Sequence, residues 1–118
     1  MDEISSFELY VSQESKPLTS GDITVVELEF LAASNAFGGE AGELQNIVKK
    51  IMRAGLYGAD DPLWKEFALE AGDVLHYLVR LINSGGFFLS EIQALNIAKL
   101  EARKLNDAKA DPSSEVAP

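Results

Sequence analysis

The residues best suited to chemistry in this 118-residue chain are two acidic pairs, one in Glu40-Ala41-Gly42-Glu43-Leu44 and one in Glu70-Ala71-Gly72-Asp73-Val74. Each pair is spaced i, i+3, which sets its two carboxylates side by side on one helix face. That face is apolar. Glu40 follows Phe37 by three and precedes Leu44 by four, and Glu70 stands in the same relation to Phe67 and Val74. Four carboxylates converging in a core would repel and raise one another's pKa unless a cation joined them. Oxygen ligands of this type suit a hard divalent ion, Mg²⁺ or Mn²⁺. A lone pair of this spacing is most often a solvated surface; two in matching apolar context on successive helices favour a site.

Positioning such acids requires helices, and the capping signals mark where they begin. Ser5-Ser6-Phe7-Glu8 reads as a capping box opening a short helix that stops near Lys16-Pro17. Thr24-Val25-Val26-Glu27 is a second box. The helix after it carries Val26, Phe30, Ala33, Phe37, Leu44, Ile47 and Ile51 along one stripe and ends at Gly55, with Gly38-Gly39 as a point of kink or interruption. Residues 55–61 form a connector, with Asp61 as N-cap and Pro62 at the first position of a third helix. Its stripe is Leu63, Phe67, Val74, Tyr77, Leu78 and Leu81, and Ser84-Gly85-Gly86 ends it. Ser90-Glu91-Ile92-Gln93 caps a last helix with Ile92, Leu95, Ile97, Leu100 and Leu105 as its apolar positions.

The expected fold is all-α, a bundle of about four helices over residues 1–108, followed by a fraying tail at 109–118. The midpoint between the two acidic motifs falls at Leu56-Tyr57, inside the connector. An antiparallel hairpin therefore holds both motifs roughly 12–15 Å from the turn, at one level. Gly42 and Gly72, one inside each pair, cost up to about 1 kcal/mol apiece in a helix, which makes sense where backbones approach closely or a ligand needs room.

Composition narrows the partners. Ten Lys and Arg against nineteen Asp and Glu give a net charge of -9, which argues against binding a nucleic-acid polymer. Without cysteine the chain has no disulfide, thiolate nucleophile or Cys-ligated metal. The first residues lack the pattern of a signal peptide, and no apolar run approaches the roughly 18 residues of a membrane span, so a cytoplasmic location is expected.

The ordered set resembles the MazG-like all-α nucleoside triphosphate pyrophosphohydrolases. The likeness runs from Phe37 to about Arg103: E-x-x-E at Glu40 and Glu43, a spacer, E-x-x-D at Glu70 and Asp73, and N-x-x-K-L-x-x-R at Asn96, Lys99, Leu100 and Arg103. It implies hydrolysis of a (deoxy)nucleoside triphosphate to the monophosphate and pyrophosphate, with Mg²⁺ held by Glu40, Glu43, Glu70 and Asp73, and Mn²⁺ as a substitute. It also implies a homodimer or homotetramer whose bundle closes between chains. Where a Tyr-Pro often follows the closing motif, this chain has Lys104-Leu105, so no C-terminal contact carries over.

Phosphoanhydride hydrolysis needs charge neutralisation and a positioned water, which clustered metal ions provide. Glu43 is the candidate acceptor of the water's proton. Lys99 is the first candidate for phosphate contact, with Arg103 on its face. Lys49, Lys50 and Arg53 serve equally as phosphate contacts or as charge at a helix C-terminus. By the resemblance Asn96 contacts phosphate, sugar or the metal shell. Asn35 could read a base edge, and Trp64, Tyr57, Phe87 and Phe88 could stack a base or simply pack a core or dimer contact. His76 is either a neighbour of the metal ligands or a packing residue.

A compact, standalone form fits a housekeeping or phage-encoded enzyme, the latter working in the host cytoplasm, with a purine deoxynucleotide such as dGTP the favoured substrate. Two rivals remain: a carboxylate di-iron bundle, which needs two Glu-x-x-His motifs where this chain has one histidine, and a non-catalytic helical module.

Overall fold

Caps set the start of the first three helices. In the computed structural model, which describes residues 5–55, 58 and 60–110, the Ser5 hydroxyl accepts the Glu8 N–H while Glu8 accepts the Ser5 N–H at 2.8 Å. This reciprocal pair opens α1, Ser6–Glu14, which ends just short of Lys16-Pro17. Thr24 and Glu27 repeat the arrangement at the head of α2, Val25–Ala54. α2 ends at Gly55, whose φ of 79° lies in the left-handed region that favours glycine.

Gly38-Gly39 neither breaks nor ends α2, which runs uninterrupted for 30 residues. Two glycines cost a helix about 2 kcal/mol at most, and good helix formers on both sides with a packed face offset that.

α3, Asp61–Ser84, begins one residue earlier than the sequence indicates. Asp60, not Asp61, is the N-cap: its Oδ1 accepts the Leu63 N–H at 3.0 Å, and Pro62 falls within the first turn, where its missing N–H leaves no bond unmade. The far end closes as expected at Ser84. The Gly86 N–H donates to Asn83 and the Phe87 N–H to Ile82, and Gly86 takes a φ of 86°. α4, Leu89–Ala110, starts before Ser90. There the Phe88 N–H donates to Glu91 Oε1 at 3.0 Å, so Ser90 lies inside the helix instead of capping it.

All four helices expected are present, and the described residues hold no strand. Their packing is concentrated in one antiparallel hairpin, α2 against α3. Among the described residues Ala33, Ile47 and Ile51 are the buried apolar ones, Phe37, Leu44, Phe67, Val74 and Leu78 are half-buried around them, and Phe30 seats near the Gly85 end of α3. The stripe expected on α2 is therefore inward only from Ala33 onward; Val26 is 70% exposed. α4 meets α3 sparsely and makes no contact with α2, and α1 contacts none of the other helices. Among the described residues, then, the four helices do not close into a bundle. No helix among the described residues is long and apolar enough to cross a membrane.

Candidate metal centre

Glu40 lies on the α2 stripe between Phe37 and Leu44, and Glu70 lies on the α3 stripe between Phe67 and Val74, so the packing that joins the helices also brings these acids together. One carboxylate oxygen from each of Glu40, Glu43 and Glu70 lies within 4.8 Å of the others. Glu40 and Glu70 are half-buried and Glu43 faces solvent. Oε2 of Glu40 and Oε2 of Glu70 are both buried without a hydrogen-bond partner, an arrangement that costs free energy unless something else satisfies them.

Electrostatics point the same way. Burial pushes the Glu40 carboxyl above the usual carboxylate range, and the charges of Glu43, Asp73 and Glu70 push it further. Burial likewise raises Glu70, reinforced by Glu43 and Asp73. The ion pair among the described residues, Arg80 to Glu29 at 3.5 Å, is exposed and leaves these acids without a cation. Asp73 is exposed and outside the three-carboxylate set, yet its charge acts on both inner acids.

A Cβ added at Gly42 or Gly72 would meet nothing within 4 Å. Close approach of α2 and α3 therefore does not explain these glycines; the space beside them is open. The donor set fits a divalent cation: oxygen only, clustered, and with two orphaned buried atoms.

The other candidate residues distribute differently. Lys50 lies seven residues beyond Glu43, two turns along the same side of α2; it is exposed, as are Lys49 and Arg53. Asn35 is exposed and five residues before Glu40, off the inward stripe. Asn96, Lys99 and Arg103 share one exposed face of α4, and because α4 does not contact α2 they stand apart from Glu40 and Glu43 within the chain. Trp64 is 37% exposed and meets Phe67 edge-on at 5.7 Å. Phe87 and Phe88 are exposed at the other end of α3, so they cannot form one stacking wall with Trp64; Leu56 and Tyr57 lie outside the described residues. His76 is exposed against the Tyr77 ring at 5.0 Å and is not among the clustered acids. Sequence reasoning passed over Arg80, which lies 5.8 Å over the Tyr77 ring and ties α3 to Glu29; its spacing from Tyr77, three residues, was the available signal.

No family model matches the chain, and no solved structure matches it. The Gene 37 protein of Mycobacterium phage L5 is 39% identical over 70 residues, a stretch covering 56% of this chain and 58% of that protein. The chain thus matches less than two thirds of that relative's length.

Proposed function

We propose that the chain is a divalent-metal-dependent nucleotide pyrophosphohydrolase, opening a nucleoside or deoxynucleoside triphosphate to the monophosphate and pyrophosphate. The carrying observation is the pair of buried, unpartnered carboxylate oxygens on Glu40 and Glu70, set among clustered acids that no described cation neutralises. The motif order supports it, with Asn96, Lys99 and Arg103 as a cationic and amide face suited to phosphate oxygens.

Glu40, Glu43 and Glu70 would hold Mg²⁺ or Mn²⁺, with Asp73 completing the set from the flank. Bound there, the ion supplies charge neutralisation to the phosphates and acidifies water. Glu40 and Glu70, fixed by packing on both sides, give the site its rigidity. Glu43 is the solvent-facing member of the three clustered carboxylates, so it is the group placed to take a proton from an incoming water as the phosphoanhydride opens and pyrophosphate leaves. A purine deoxynucleotide such as dGTP is the substrate we favour. The di-iron reading has no support from histidine, since His76 stands outside the acid cluster.

Incubating the protein with each common triphosphate and Mg²⁺ or Mn²⁺, and identifying both products, tests the reading. Release of pyrophosphate is expected, and Glu43→Gln or Asp73→Asn should abolish it while the helical circular dichroism persists. Full turnover in either variant, or no metal-induced change in thermal stability and no product from any triphosphate, would overturn it in favour of a non-catalytic helical module.

A further inference from the structure

The inward stripe of α2 outruns its cover. Ala33 is 4% exposed, but Phe30, nearer the head of α2, is 47% exposed, and Val26, one turn further out, is 70% exposed. The reason lies in α3, which stops at Ser84 with Gly85 against the Phe30 ring, so the hairpin leaves Val26 largely uncovered. Phe87, two residues beyond Gly85, is exposed at the same end. The face that joins α2 to α3 thus continues, unpartnered and apolar, over the first two turns of α2.

α1 has the opposite lack, a helix without a surface to lie on. Its 9 residues are fewer than the roughly 12–15 that an isolated helix needs in water, and the capping box of Ser5 and Glu8 secures only its first turn. Phe7, Tyr10 and Val11, at i, i+3 and i+4, form one exposed apolar face, and α1 contacts none of the other helices.

Length and tether fit the two together. α1 is about 13.5 Å long, as are residues 25–33 of α2. The segment between them, residues 15–24, spans up to about 33 Å. It bends at 18–22, where the Thr19 hydroxyl donates to the Gly21 carbonyl at 3.1 Å, and two to five residues suffice to reverse direction between helices. A tether this short holds α1 at roughly millimolar effective concentration beside the bare face, ahead of a free competitor. Glu8 and Glu14 of α1 would approach Glu27 and Glu29, with Arg80 already paired to Glu29, so the contact is apolar in character.

We infer that α1 is a strap that folds back over the head of its own chain's α2, laying Phe7, Tyr10 and Val11 on Val26, Phe30 and Phe87. The arrangement described above is its open form. The inference rests on neither the metal site nor the proposed reaction, and it is tested without metal or substrate. The cysteine-free chain takes a nitroxide label at Gln13→Cys, an exposed α1 position off the apolar face.

In isotope-labelled, full-length protein the nitroxide is expected to erase more than half of the amide signal of Val26, Phe30 and Phe87 by magnetic resonance. Val26→Asp, an acid suited to the first turn of a helix, should restore the Phe30 and Phe87 signals while the amides of Ile47 and Ile51 stay in place. Phe7→Ser should do the same from the α1 side. Signal loss confined to residues 5–24, loss that both substitutions leave unchanged, or loss centred on α4 would overturn the inference. So would loss that passes between chains when spin-labelled protein without isotope is mixed with isotope-labelled protein without nitroxide, since that places α1 on a second copy.

Discussion

At the residue scale the acid cluster carries opposite requirements with and without a bound cation, and pH separates them. Glu40 and Glu70 titrate above the ordinary carboxylate range, chiefly through burial and then through neighbouring acids. The folded chain therefore binds more protons than the unfolded one between the ordinary and the raised pKa values, and its stability falls as pH rises through that window. Without metal, the melting temperature should be higher in mildly acidic buffer than at neutral pH. Glu40→Gln or Glu70→Gln should flatten that dependence and stabilise the metal-free chain at neutral pH, because a neutral amide removes the repulsion. A cation reverses the preference, since it binds the ionised form. Mg²⁺ or Mn²⁺ should raise the neutral-pH melting temperature of the wild-type chain and have little effect on either variant. Thermal melts with and without chelator check both signs, and a wild-type profile that rises with pH in chelator would remove the buried acids as its cause.

At the element scale, most of the helical plan was legible because it is written locally. Ser5 with Glu8 and Thr24 with Glu27 are reciprocal caps three residues apart, and Gly55 and Gly86 take the positive φ that ends a helix. Helix starts were less legible: where two capping residues adjoin, as Asp60 and Asp61 do, or where Glu91 reaches back to Phe88 ahead of Ser90, the choice is made by backbone geometry that spacing does not encode. Convergence of Glu40, Glu43 and Glu70 was legible because two 3.6-residue stripes equidistant from one turn must meet at one level. The place of Asn96, Lys99 and Arg103 was not, since a motif on α4 does not fix how α4 sits relative to the α2–α3 hairpin. The glycines were half legible. Their cost predicts openness or close approach, and only the structure separates the two. It follows that Gly42→Ala should stabilise a single chain by about 1 kcal/mol, its methyl meeting nothing while helix propensity improves. Urea melts of dilute, metal-free protein measure this, and the same variant should associate more weakly at high concentration if a neighbouring helix uses the space. Destabilisation of the dilute chain would place a contact at Gly42 within the hairpin itself.

For the whole molecule, the separation of acids from cations makes a prediction that neither residue nor element can. If the acids of one chain work with α4 of another, a dimer has two sites, each drawing on both chains. Glu43→Gln spoils the acid half of a chain and Lys99→Ala its cationic half, and each homodimer then has two spoiled sites. In a mixed dimer both lesions fall in one site: the acids of the Glu43→Gln chain face the α4 of the Lys99→Ala chain. The other site has intact acids from one chain and intact Lys99 from the other. Random mixing makes half of the dimers mixed, each with one working site of two, so pyrophosphate release should recover to about a quarter of the wild-type rate. Were each site built from one chain, every site in the mixture would carry one lesion and nothing would be regained. Two inactive proteins becoming active on mixing requires an exchangeable dimer and a site that crosses it, and would tie the open surface of the single chain to the proposed activity.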